Sequence, residues 1–127
     1  MSRNAAAQAE VRMEIWRSFV SVLKSYAAVA RPPIVVHSVE VGPVGDVVLD
    51  GGPAYVSLAF DAVGGRGSLR LMMASHIEAE ERFELGADGT ICFDGEPGSI
   101  PEELDHAAIR LLGSLVRASR ERAEALA

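Results

Sequence analysis

One cysteine in 127 residues is too few for a disulfide framework or a cysteine-rich zinc site. No apolar run reaches the roughly 18 residues that suggest a membrane-spanning helix, so no membrane partner is expected. There is no internal repeat, no low-complexity linker and no break in composition, which leaves one domain over residues 1–127. Catalytic signatures are missing too: the chain holds no Gly-x-Ser-x-Gly, no His-Glu-x-x-His and no Cys-x-x-Cys. A concentrated basic surface is also lacking. The net charge is −6, and the stretch 32–100 holds three basic against eleven acidic side chains. Nucleic-acid affinity comes largely from neutralising phosphate, so no nucleic-acid partner is expected.

What the chain does have is apolar residues, at 49%, enough to bury a core. Arg3 and Ala5-Ala6-Ala7 begin like a signal peptide, but Glu10, Arg12 and Glu14 fall where its apolar stretch should lie. A soluble, cytoplasmic protein is therefore expected, with Cys92 reduced. Residues 1–31 carry five basic and two acidic side chains. That segment either forms a solvated helix face or meets the acidic surface of a second copy.

The spacing predicts a helix over about residues 5–30. Val11, Ile15, Phe19, Val22, Tyr26 and Val29 recur at intervals of three and four, widened by Trp16, Leu23, Ala27 and Ala30. Arg31-Pro32-Pro33 ends it. From about 34 to 94 the period falls to two. Strands are expected at Ile34–Val41, Val47–Leu49, Ala54–Asp61, Ser68–Ala74 and Ile91–Phe93, separated by glycine-bearing turns. Ser75–Leu85 has a helical composition, yet as a strand it places Ile77, Ala79, Phe83 and Leu85 on one face. His76, Glu78, Glu80, Arg82 and Glu84 then share the other, and pattern outranks propensity. A last helix is expected over about 101–123. Ser99 and Glu102 have capping-box spacing, Pro101 falls in the first turn, and Leu104, Ala108, Leu111, Leu112, Leu115 and Ala118 form a buried stripe.

Helix, five or six strands and helix make a two-layer α+β domain: an antiparallel meander with both helices on one sheet face. The other face is open and semi-polar, carrying Tyr55, Ser57, Ala59, Arg70, Met72 and Cys92 beside the His76–Glu84 row.

Candidate chemistry concentrates there. Alternate residues of a strand project from one face about 6.5–7 Å apart, so His76, Glu78 and Glu80 could share a metal ion, with His37 as a further ligand. A solvated face whose charges discourage aggregation is the plainer account. A carboxylate pair for acid–base work would need a desolvated pocket, which nothing predicts. Cys92 is a small hydrophobe unless His37 or His76 reaches it as a base. His106 reads as a surface residue of the last helix. Gly64-Gly65-x-Gly67 and Gly42-x-x-Gly45 read as turns rather than phosphate loops, because strands follow them. Trp16, Phe19 and Tyr26 are core residues or the lining of a ligand cavity between helix and sheet. With Tyr55, Arg70 and Cys92 on the open face, Trp16 and Tyr26 complete the candidate ligand-binding set. Three functions are thereby open. A non-catalytic binding or protein-interaction module acting as a homodimer, through the open sheet face or an edge strand, comes first. A small metal-dependent enzyme or ligand-binding protein using the His76/Glu78/Glu80 face is second, and DNA-binding regulation, opposed by the acidic centre, is third.

Overall fold

The computed structural model describes residues 3–74, 76–94 and 100–126. Along the chain run α1 (Arg3–Val29), β1 (Val35–Val41), β2 (Val44–Asp50), β3 (Ala54–Asp61), β4 (Arg66–Met73), β5 (His76–Leu85), β6 (Thr90–Phe93), β7 (Pro101–Glu103) and α2 (Leu104–Leu126). Each strand pairs antiparallel with its neighbour in sequence, giving one sheet in the order β1-β2-β3-β4-β5-β6-β7. Short turns force that meander, since parallel neighbours need long crossovers. Both helices pack on one face of the sheet and on each other. Among the described residues, no helix is long and apolar enough to cross a membrane.

The period of two is cleanest in β3. Ala54, Val56, Leu58 and Phe60 are buried against the helices, while Tyr55, Ser57, Ala59 and Asp61 point outward. At the centre of the core the Trp16 indole stacks on Phe60 at 4.9 Å and Phe83 at 6.0 Å, with Phe19 tilted against it. Two glycines make room for these rings. A side chain on Gly45 would meet the Trp16 indole, and one on Gly67 would meet the Phe83 ring and the Ala59 carbonyl oxygen. Both stand inside strands, so the expectation that they belong to turns is corrected. Turns do occur at Gly42-Pro43 and Ala62–Gly65, where Gly42 and Gly65 adopt positive φ.

Several boundaries differ from those the sequence suggests. The sheet has seven strands rather than five or six, and β2 extends beyond Val47–Leu49 because Gly45 and Asp46 continue the ladder. The last helix starts at Leu104, not Pro101. Pro101–Glu103 instead pairs with β6, Ile91 opposite Glu102 and Cys92 opposite Pro101. Proline is tolerated there because the strand is at the sheet edge and needs no outward donor. Glu102 therefore lies in a strand rather than in the first turn of the helix; Ser99, its expected capping-box partner, lies outside the described residues. In α1 the buried stripe is Met13, Trp16, Phe19, Val20, Leu23 and Ala27, and Val11 and Val29 are exposed. The same three-and-four spacing is satisfied one position around the helix, where the larger indole fills the core.

β5 is a strand, as its alternation indicates, but the alternation slips. Leu71 pairs with Ala79 and Met72 with Ile77, which leaves Glu78 bulged out of the ladder. One extra residue reverses which face the following positions occupy. Phe83 and Leu85 point inward as expected. Ile77 is turned to the outward face, opposite Met72, and His76 stands opposite the inward Met73.

Candidate functional site: the open face of the sheet

Strand register arranges the outward side chains in rows across the sheet. One row runs Val35, Asp50, Tyr55, Met72, Ile77. The next runs His37, Val48, Ser57, Arg70, Glu80. A third runs Val39, Asp46, Ala59, Ser68, Arg82, and a fourth runs Val41, Val44, Asp61, Arg66, Glu84, Cys92. The face is graded. On its β4–β5 side Arg70 pairs with Glu80 at 3.2 Å and Arg66 with Glu84 at 3.3 Å. These exposed pairs add little stability. On the β1 side the side chains are mostly valine, with Val35, Val39 and Val41 at 54%, 62% and 73% exposure.

The residues singled out from the sequence fall in several places. Tyr55, Arg70 and Cys92 stand on the open face in three different rows, so they do not converge on one point. Trp16 is fully buried in the aromatic core. Tyr26 is half-buried in a groove of about 530 Å³ between the two helices, beside Arg31, Val116 and Arg120. His76 Nε2 approaches Glu78 Oε1 to 3.5 Å, but the bulge separates this pair from Glu80, which faces Arg70. Four strand spacings, roughly 19 Å, separate the strand of His37 from β5. Among the described residues no group of three or more His, Cys, Asp or Glu side chains could hold a metal ion. Cys92 stands five strand spacings from His37, roughly 24 Å, and lies near the opposite end of β5 from His76.

A polar cluster not singled out from the sequence ties β7 to α2. Arg110 donates from Nη2 to Glu102 Oε1 at 2.8 Å and from Nε to Oε2 at 3.2 Å, and His106 Nδ1 stands 2.7 Å from the same Oε2. The guanidinium also covers the Phe93 ring at 4.9 Å. The signal was present: Glu102, His106 and Arg110 repeat every four residues, the spacing of one helix face. Burial pushes the Glu102 carboxyl up, but hydrogen bonds from Arg110 and His106, with their charges, outweigh it and leave the carboxyl below its ordinary 4.5. A group depressed in the folded state stabilises fully above its unfolded value and loses that contribution as pH falls through the folded one. Thermal melts of wild type and Glu102→Gln should therefore differ most at neutral pH and converge as pH drops below the glutamate range. A gap independent of pH would show that the charge of Glu102 contributes nothing.

Of the edge strands that the sequence leaves open as a contact surface, β1 is the longer, seven residues containing neither proline nor lysine. No protein-family model, no curated protein and no solved structure matches this chain.

Proposed function

We propose that the chain is a non-catalytic protein-interaction module that acts as a homodimer and presents the open face of its sheet. The observation that carries this reading is the grading of that face: exposed valines gather at the β1 side, while cross-strand ion pairs occupy the β4–β5 side. An apolar patch on a rigid sheet, bordered by charge, is the composition of an interaction surface. The carboxylates on the face are exposed, two of them against arginines, whereas acid–base chemistry asks for a carboxylate held in a desolvated pocket.

A second reading, a metal-dependent enzyme or ligand-binding protein, draws on the 3.5 Å approach of His76 to Glu78. Native mass spectrometry of untagged, chelator-treated protein re-exposed to zinc separates the two. The interaction module predicts a dimer mass with no added metal. One zinc per chain, lost in His76→Ala, would replace the first reading with the second, and a monomer would remove the dimer.

A further inference from the structure

We infer that β1 is the surface through which two copies join, by antiparallel pairing of β1 with β1 of a second copy about a two-fold axis at Ser38. This rests on the homodimer reading and names its interface.

The backbone makes β1 available. Ala62 N donates to Pro43 O at 2.9 Å and Gly51 N to Ala54 O at 3.0 Å, so the odd-numbered residues of β2 bond to β3. Its even-numbered residues bond to β1, through Val35, His37, Val39 and Val41. The N–H and C=O groups of Val36, Ser38 and Glu40 consequently point away from the sheet. Such a row of donors and acceptors is a template for another strand. The opposite edge offers far less, because β7 has three residues and begins with proline.

The sequence of β1 forms its longest ladder with itself in one register. A two-fold axis at Ser38 sets Ser38 opposite Ser38, Val36 opposite Glu40, His37 opposite Val39 and Val35 opposite Val41. All three outward-pointing residues then join hydrogen-bonded pairs, about six bonds at two per pair. The exposed valines of both copies meet on the open face. Moving the axis to Val36 or Glu40 shortens the ladder, and at Glu40 it also sets two carboxylates against each other.

Charge favours the same register. On the inward side α1 runs along β1, with Arg17 bonded to Glu40 at 2.9 Å and Ile34 N donating to Ala27 O at 3.3 Å. Between these two contacts Lys24 lines a cleft with Ser38 and Val39, whose other charged lining residues are Arg17, Glu40 and Asp46 of the same copy. It forms no ion pair among the described residues, and it is the single lysine of the chain. The axis at Ser38 places Glu40 of each copy opposite Val36 of the other, two residues along β1 from the Ser38 that lines the cleft and toward the contact of Ile34 with Ala27, the side of α1 on which Lys24 lies. Two reciprocal Lys24–Glu40 pairs result.

Two measurements on the full chain decide this. Light scattering with dilution compares wild type with Ser38→Pro, which removes an outward donor at the axis and none from the β1–β2 ladder. The expected result is a wild-type dimer and a variant with unchanged circular dichroism whose dimer Kd rises by about 100-fold or more. A folded variant that still dimerises like wild type would overturn the β1 interface while leaving the homodimer standing; a monomeric wild type would overturn both. The second measurement holds even if the variant fails to fold. Wild type mixed from ¹⁵N-labelled and unlabelled chains is treated with a carbodiimide, which joins a carboxylate to a contacting amine. Mixed-isotope Lys24–Glu40 peptides are expected in the covalent dimer, and their absence would overturn the register.

Discussion

Replacing Trp16 with alanine should cost about 3–5 kcal/mol of stability, the range for removing a large aromatic from a closed core. Trp16 is the only side chain of α1 that reaches both Phe60 of β3 and Phe83 of β5 among the aromatic contacts. Its loss removes the link between the first helix and two non-adjacent strands at once. The void cannot refill by a small shift, because Gly45 beneath the indole offers no side chain to move in. Urea unfolding of wild type and Trp16→Ala, followed by circular dichroism, measures the difference. A loss under about 1 kcal/mol would mean that the aromatic stack is not what fastens α1 to the sheet.

The second large effect comes from adding atoms. Gly67→Ala places a methyl group into the Phe83 ring and against the Ala59 carbonyl oxygen of the neighbouring strand. The ring is held between Trp16, Phe60 and Phe93, and the carbonyl belongs to a paired strand, so neither yields cheaply. Overpacking of this kind costs about 1–3 kcal/mol. The same urea titration should show a lowered midpoint with little change in slope. Gly67→Ala as stable as wild type would show that the Phe83 ring has room to turn aside.

Both predictions rest on contacts that periodicity does not reveal. Alternation in Ala54–Asp61 identified the strand and its buried face because every second residue there is apolar and nothing interrupts the count. The first helix, expected over about 5–30, was legible as an element because its three-and-four spacing runs for about five turns and stops before two prolines, although Val11 and Val29 of that stripe are exposed. What sequence could not show was the meaning of Gly45 and Gly67. A glycine that frees a turn and a glycine that receives a ring are the same letter, and only the partner across the core distinguishes them. The bulge at Glu78 was hidden for a related reason: two-residue alternation assumes that each position has one partner, and a single extra residue reverses every face beyond it. That reversal is why His76, Glu78 and Glu80 looked like one row and are not. Pro101–Glu103 read as a helix start because proline and glutamate favour a first turn, while pairing to the distant β6 decided otherwise.

The unequal edges of the sheet carry a consequence for how far assembly can go. A sheet with two long open margins has a valence of two and adds copies without end, whereas one with a single usable margin has a valence of one and stops at a pair. β7, three residues long and headed by a proline, closes one margin of this chain. In the proposed β1-paired dimer, lengthening that strand, rather than altering β1, is the change that would turn a pair into a fibre.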